Sequence, residues 1–315
     1  MLDALKFVQG AVAKKDFVPA LTHFRIANGT IKGYNGTLGI CSPIALDLQV
    51  SPKAVPFAKA IQTCKDTTQL HVTPTGKLSI KSGSFRALVE CTTEEYPGLE
   101  PEGDRVELQP GLVSTLKELQ PFIAEDASRP WARGVLFTGS TAVVTNNIIL
   151  IEKWLGVPFP VRVNIPRAAV VELIRIGEDP TAMQLTPYCA TFHYPGDRWV
   201  RAQLASENWP NYEAIFNGEN SPVELPSGFW EAVENALPFV DELKRVFIRP
   251  GVIKTHLDEA GAETLVPDLT SEGCFNIDHL LSLVKTVNKI DLTMYPRPCI
   301  FYGNKLRGAI TGIRV

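Results

Sequence analysis

Three kinds of local signal recur along this chain in the same order and at nearly the same spacing. Hairpin turns flanked by alternating apolar and polar residues occur at Asn28-Gly29, Gly139-Ser140 and Pro250-Gly251, 111 residues apart each time. Helix starts occur at Pro52-Lys53-Ala54, Pro166-Arg167-Ala168 and Asn276-Ile277-Asp278, offset by 114 and then 110 residues. An aromatic-proline pair recurs at Tyr96-Pro97 and Trp209-Pro210, offset by 113. A fixed period of this size means one structural unit used several times, and it takes precedence over any single motif. A chain of 315 residues holds three such periods.

Each period has the same grammar: a helix, short strands joined by hairpin turns, a second helix, and more strands. The first leading helix is expected from Leu2 to Lys15, with Leu2, Leu5, Val8 and Val12 at helical spacing. The second carries Leu112, Val113, Leu116, Leu119 and Ile123 as one stripe. The third opens at Pro226-Ser227 with Trp230, Val233 and Leu237 on one face. The second helices repeat the pattern, with Val170, Leu173 and Ile174 in one, and Leu280, Leu281, Val284 and Val287 in another. Polar, turn-rich stretches at PEGD and NGENSP suit linkers. The expected fold is therefore α+β, with three tandem similar domains at residues 1–104, 105–221 and 222–315, each having two helices packed on antiparallel sheets.

Composition removes several function classes. With 45% apolar and 21% charged residues the chain is neither disordered nor collagen-like nor a coiled coil. No apolar run approaches the roughly 18 residues that span a bilayer. The N-terminus MLDALKFVQG carries charge where a signal peptide would be apolar, so a cytoplasmic protein is expected, with no membrane partner. Six cysteines are spread with no gap shorter than 23 residues, which predicts buried free thiols and no Cys-x-x-Cys metal site. No H-E-x-x-H, G-x-S-x-G, G-x-G-x-x-G or P-loop string occurs. No catalytic residue, metal or cofactor is expected.

Net charge is −3, so the whole molecule does not advertise nucleic-acid binding. The expected helices, however, carry eleven Lys or Arg against seven Asp or Glu. Lys6, Lys14, Lys53, Lys59, Arg167, Arg175, Lys285 and Lys289 are placed as phosphate-facing residues would be. Lysines and arginines along a duplex displace condensed counterions without reading bases. Solvated helix faces also carry lysines routinely, so both readings stand at this point.

The stretches RGVLFTGSTAVVTNN, VNIPRAAVVELIRI and RAQLASENWPNYEAIF then bring a family into view. Across its full length the chain resembles the bacterial sliding clamp, the beta subunit of DNA polymerase III, whose three alike domains close head-to-tail into a dimeric ring. The units here are shorter than the family's usual ones, as a compact phage-encoded version would have them, in a bacterial or phage-infected cytoplasm. The resemblance implies a processivity factor that encircles double-stranded DNA without sequence preference. It implies a replicative polymerase, a clamp loader and a second copy of the chain as partners.

It also implies sites. The family's partner-peptide pocket maps onto Thr145, Asn146, Asn147, Ile148, Ile149 and Leu150, onto Pro210, Ala214 and Ile215, and onto Ala309, Ile310, Thr311 and Val315. Asn146 to Ile149 lack the family's Gly, His and Arg, which makes this pocket more apolar. Arg129, Trp131 and Arg133 fall where the family contacts DNA, although Trp131 packed at a sheet edge is an equal alternative. The ring interface maps onto Phe85, Ala87 and Leu88 meeting Leu237 and Pro238. Two rivals remain: an enzyme using Glu94, Glu95 or Glu207, and a clamp-fold scaffold that does not encircle DNA.

Overall fold

The computed structural model describes residues 1–15, 17–126, 128–205, 208–258 and 261–315. Glu207 lies outside them. Element order repeats three times. The first round is α1 (Leu2–Val8), β1 (Arg25–Ala27), β2 (Thr30–Tyr34), β3 (Leu38–Pro43), α2 (Ala54–Thr63), β4 (Gln69–Val72), β5 (Leu78–Ser82) and β6 (Phe85–Val89). The second adds a short strand before each helix: β7 (Asp104–Glu107), α3 (Leu112–Leu119), β8 (Gly134–Thr138), β9 (Thr141–Thr145), β10 (Ile149–Trp154), β11 (Val163–Pro166), α4 (Arg167–Ile176), β12 (Ala182–Leu185), β13 (Cys189–Tyr194) and β14 (Arg198–Gln203). The third matches it: β15 (Val223–Glu224), α5 (Phe229–Ala236), β16 (Arg245–Arg249), β17 (Val252–Lys254), β18 (Glu263–Leu265), β19 (Gly273–Asn276), α6 (Ile277–Leu281), β20 (Lys289–Ile290), β21 (Cys299–Gly303) and β22 (Leu306–Ile310).

The three hairpin turns use three different local chemistries. Asn28 and Gly29 both take positive φ, 51° and 69°, as a two-residue mirror-image turn requires. Gly139 alone takes positive φ in the second turn, at 54°. In the third, Pro250 supplies the fixed first position and Gly251 the positive φ of 78° at the next.

Each round thus yields two strand triplets, and sheet pairing joins triplets from neighbouring rounds. One seven-stranded sheet runs β1-β2-β3-β14-β13-β12-β7, and one eight-stranded sheet runs β11-β8-β9-β10-β22-β21-β20-β15. The junctions are antiparallel, with Trp199 opposite Cys41 in the first and Ile149 opposite Ile310 in the second. Two shorter sheets remain: β4-β5-β6 and β18-β17-β16-β19. Compactness follows these sheets. Residues 1–116 with 165–206 form one unit, and residues 117–164 with 207–315 form the other.

In the first unit α1 packs on β2, β3 and α2, while α2 packs on β6, so helices fill the space beside both sheets. Phe24 and Phe57, almost fully buried, meet edge to face at 6.4 Å there. In the second unit α5 packs on β17, β18 and α6. All six cysteines are free thiols; Cys41, Cys189, Cys274 and Cys299 are buried, and Cys64 and Cys91 are partly buried. Burial pushes the Cys41 thiol up to about 11.

Several helices differ from expectation. The α1 helix stops at Val8, a single 3-10 turn follows to Ala11, and Val12 is extended. The reason is tertiary: the Ala13 N–H donates to the Leu21 carbonyl at 2.9 Å; the Glu172 carboxyl packs against Gly10, in the space a side chain there would need. In α5 the buried face is Phe229, Ala232, Val233 and Ala236, whereas Trp230 is half-buried and Leu237 exposed. The α6 helix is only five residues long, and the chain beyond it buries Leu283 and Val287, leaving Leu281 and Val284 half-buried.

The α3 helix begins without a local cap. Its start is held from the turn after α4, where Asp179 accepts from the Gly111 N–H at 2.8 Å and the Val113 N–H at 2.7 Å. Two orphan donors are satisfied, and a negative charge sits at the positive end of the helix. Asp179→Ala should therefore lower the stability of the first unit by about 1–2 kcal/mol, read as an earlier urea transition.

Candidate partner pocket and DNA-facing residues

The pocket segments lie on one end of the β9–β10 hairpin and its neighbours. The turn is built by side chains. Asn146 Oδ1 accepts from the N–H groups of Ile148 and Ile149 at 3.1 and 2.8 Å, and Thr145 Oγ1 donates to the Ile149 carbonyl at 2.7 Å. Asn147 stands at φ 75°, a left-handed conformation that Asn tolerates better than other residues with a Cβ. It thereby takes a backbone role that glycine usually fills.

Strand register then brings the second and third rounds together. Ile149 faces Ile310, Leu150 faces Ala309, and the Thr311 N–H donates to the Ile148 carbonyl at 2.9 Å. The WPNY segment packs onto the same place: Trp209 and Tyr212 are buried against Leu136, Val143 and Leu150, with Trp131 and Phe216 against them. The Arg307 guanidinium lies 4.2 Å from the Phe216 ring centroid and pairs with the buried Glu152 at 2.5 Å. Burial raises the pKa of the adjacent Tyr212 phenol, and the Glu152 charge adds to it.

The expected pocket residues separate into floor and rim. Thr145, Ile149, Leu150, Ala309 and Ile310 are buried, while Ile148, Pro210, Ala214, Ile215, Thr311 and Val315 are exposed and Asn147 is half-buried. The four aromatic residues Trp131, Trp209, Tyr212 and Phe216 belong to this site and were not among the residues expected there. The aromatic density of WPNYEAIF was the available signal for three of them.

The DNA-facing expectations fare unevenly. Lys6, Lys14, Lys53, Lys59, Arg133 and Lys285 are exposed, and Arg167 is half-buried. Arg129 is exposed but donates to Asn147 Oδ1 at 2.9 Å, tying its loop to the pocket turn. Trp131 is not a free stacking platform, because its ring meets Trp209 edge to face at 5.1 Å. Arg175 is engaged in packing: it pairs with the buried Glu172 at 2.6 Å and donates to the carbonyls of Lys6 and Phe7 at 2.8 and 2.7 Å, fastening α4 to the end of α1. Lys289 lies on β20 and not on a helix, within 3.9 Å of Glu224. Lys285 borders a cleft of about 460 Å³ that also holds Ser282, Asn288 and Asn304.

At the expected interface, β6 is an edge strand on which Phe85 and Ala87 are half-buried and Leu88 is 54% exposed. Leu237 and Pro238 sit in an exposed 3-10 turn after α5. The feature missed in the sequence is β18, the edge of the β18-β17-β16-β19 sheet, which carries Leu265 at 75% exposure. Its three residues, Glu263 to Leu265, are too short and mixed to register as a strand. The rival catalytic acids Glu94 and Glu95 are exposed, and among the described residues no group of three or more His, Cys, Asp or Glu could hold a metal ion.

Ile148 and Ile149 therefore answer differently to the same change. Ile149→Asp buries an unpaired charge and should destabilise the second unit by upward of about 3 kcal/mol. Ile148→Asp should leave thermal unfolding essentially unchanged and alter only what binds at the rim.

Comparison with known proteins places this arrangement. No protein-family model matches the chain, and no curated protein sequence matches it. Solved structures do. The DNA polymerase sliding clamp of Caulobacter crescentus is similar at TM-score 0.84 and 17% identity, covering 100% of this chain and 97% of that one. The DNA polymerase III beta sliding clamp of Bartonella birtlesii, solved bound to griselimycin, is similar at TM-score 0.81 and 20% identity, again over 100% and 97%. The DNA polymerase III beta subunit of Pseudomonas aeruginosa is similar at 0.81 and 18%, with the same coverage. Among the described residues no helix is long and apolar enough to cross a membrane. From end to end, the chain has the fold of the bacterial DNA polymerase III beta sliding clamps.

Proposed function

We propose that this chain is a DNA sliding clamp. Two copies, each of three domains at residues 1–104, 105–221 and 222–315, close into a ring around duplex DNA in the cytoplasm. The ring holds a replicative polymerase on its template without catalysing a reaction itself.

The observation that carries this reading is the pattern of sheet pairing. Wherever a partner triplet is available within the chain, the last strand of a round's first triplet pairs with the last strand of the following round's second triplet, as β3 does with β14 and β10 with β22. The third round's first triplet ends at β18 and the first round's second triplet ends at β6, and both strands are sheet edges among the described residues. Continuing the pattern joins β18 of one copy to β6 of the next, a head-to-tail contact that repeats until it closes. Leu265 and Leu88, both exposed on these edges, would then be covered.

Ring closure also accounts for a DNA protein with a net charge of −3. Topological linkage replaces affinity, so a few exposed lysines such as Lys6, Lys53, Lys59 and Lys285 suffice for loose phosphate contacts that permit sliding. The polymerase and the clamp loader dock through short peptides on the rim residues Ile148, Ile215, Thr311 and Val315, above the aromatic floor.

Linkage has a direct signature. Protein bound to a nicked circular DNA should stay with it through gel filtration at moderate salt and be lost once a restriction enzyme linearises the circle. Retention that does not depend on circularity would favour ordinary binding, and no retention on either form would favour the scaffold that does not encircle DNA.

A further inference from the structure

The two long sheets repeat one another nearly residue by residue at their junctions. In the seven-stranded sheet Asn35 Oδ1 accepts from the N–H groups of Thr37 and Leu38 at 3.1 and 2.9 Å, and Gly36 stands at φ 95°. This is the turn that Asn146 and Asn147 make in the other sheet. The Gln203 N–H donates to the Thr37 carbonyl at 3.0 Å, as the Thr311 N–H does to the Ile148 carbonyl. By register, Thr37, Gly39, Arg201 and Gln203 occupy the places of Ile148, Leu150, Ala309 and Thr311.

The covering segments correspond as well. Tyr96-Pro97 stands one period before Trp209-Pro210, and Leu99 is buried against Cys41 and Trp199 much as Tyr212 is buried over the second sheet. Tyr96 Oη and Trp209 Nε1 share a further property: each is buried with no hydrogen-bond partner. The first unit therefore contains a counterpart of the partner pocket.

The counterpart differs in two ways that define what it would take. Gly39 carries no side chain at the place of Leu150, the Leu99 side chain packs there instead, 3.0 Å from where a Cβ would stand, and a cleft of about 240 Å³ lies alongside, bordered by Leu99, Thr37 and Tyr188. Arg201 supplies the one charge among the residues lining it, where the other pocket has Ala309. The Arg201 Nε–H lies 3.3 Å from Cys189 Sγ, and its guanidinium is 3.2 Å from Glu102, a mostly exposed side chain that a ligand carboxylate can replace. Tyr188, 76% exposed, stands at the rim as an unstacked ring, and the Gln203 amide is exposed beside it.

We propose that this cleft is a second docking site, and that its occupant is an extended segment of a partner protein carrying an acidic side chain next to an aromatic one. The carboxylate pairs with Arg201, the aromatic ring lies on Tyr188, and the Gln203 amide meets the peptide backbone. Each copy of the chain then offers two unlike sites, one apolar and one that selects for acid, so two partners can be held at once. The inference rests on reading the second-sheet pocket as a peptide site, and its test keeps the two apart.

The probe is the blocked tripeptide acetyl-Phe-Asp-Leu-amide at millimolar concentration, followed by hydrogen-exchange mass spectrometry on the full chain. Protection is expected over residues 34–38 and 186–190, independent of any at 145–150. Tyr188→Ala, an exposed change that leaves the fold intact, and Arg201→Gln should each abolish it. Replacing Asp by Asn in the probe should weaken it about tenfold, the loss of one charge-assisted hydrogen bond. No protection over 34–38 and 186–190, protection that survives both variants, or protection by the Asn probe at the same concentrations as the Asp probe, would overturn the proposal. Protection there with none at 145–150 would uphold this site and count against the other pocket.

Discussion

Every strand at the edge of a sheet presents backbone N–H and C=O groups that need partners, and this chain is arranged around how those groups are satisfied. Each round of the repeat makes two strand triplets, and each triplet by itself has two edges with unpaired backbone groups. Joining the first triplet of one round to the second triplet of the next, through β3–β14 and β10–β22, builds the two long sheets. The same rule leaves β6 and β18 as sheet edges among the described residues. The proposed assembly would be the continuation of the internal pairing and not a separate device.

The pockets follow from the same junctions. Where β10 meets β22, the turn carrying Asn146 and Asn147 ends the hairpin, and the aromatic segment from Trp209 covers the sheet just beyond it. Where β3 meets β14, Asn35 and Tyr96 do the corresponding work. One geometry has been given two chemistries: an apolar floor with Leu150 and Ala309 in one, and a cleft lined by Leu99 and Arg201 in the other.

Much of this was legible in the sequence, for reasons that are local. Asn-Gly, Gly-Ser and Pro-Gly turns carry their backbone demands in their own residues, so the hairpins and the period they mark fell where expected. The ends of the helices did not, since beyond α1 the Ala13 N–H turns to the Leu21 carbonyl, a partner that helical periodicity does not reveal. Charge was legible as composition and not as availability. Arg175 looks like a free cation until the Lys6 and Phe7 carbonyls are placed beside it, and Trp131 looks like a stacking surface until Trp209 arrives from 78 positions away. At the candidate pocket Ile149 opens β10 and is buried opposite Ile310, while Ile148 stays in the turn before it and is exposed, a boundary that the run Ile148-Ile149-Leu150 does not mark.

The central claim is that β6 and β18 close copies of the chain upon one another. Sedimentation equilibrium of the wild-type chain beside Leu88→Glu tests it most directly, because Leu88 is exposed on its edge and a charge there leaves the monomer fold intact. A mass near twice 34.6 kDa is expected for the wild type and near 34.6 kDa for the variant. A wild-type monomer at every concentration, or a dimer that Leu88→Glu does not disturb, would contradict it.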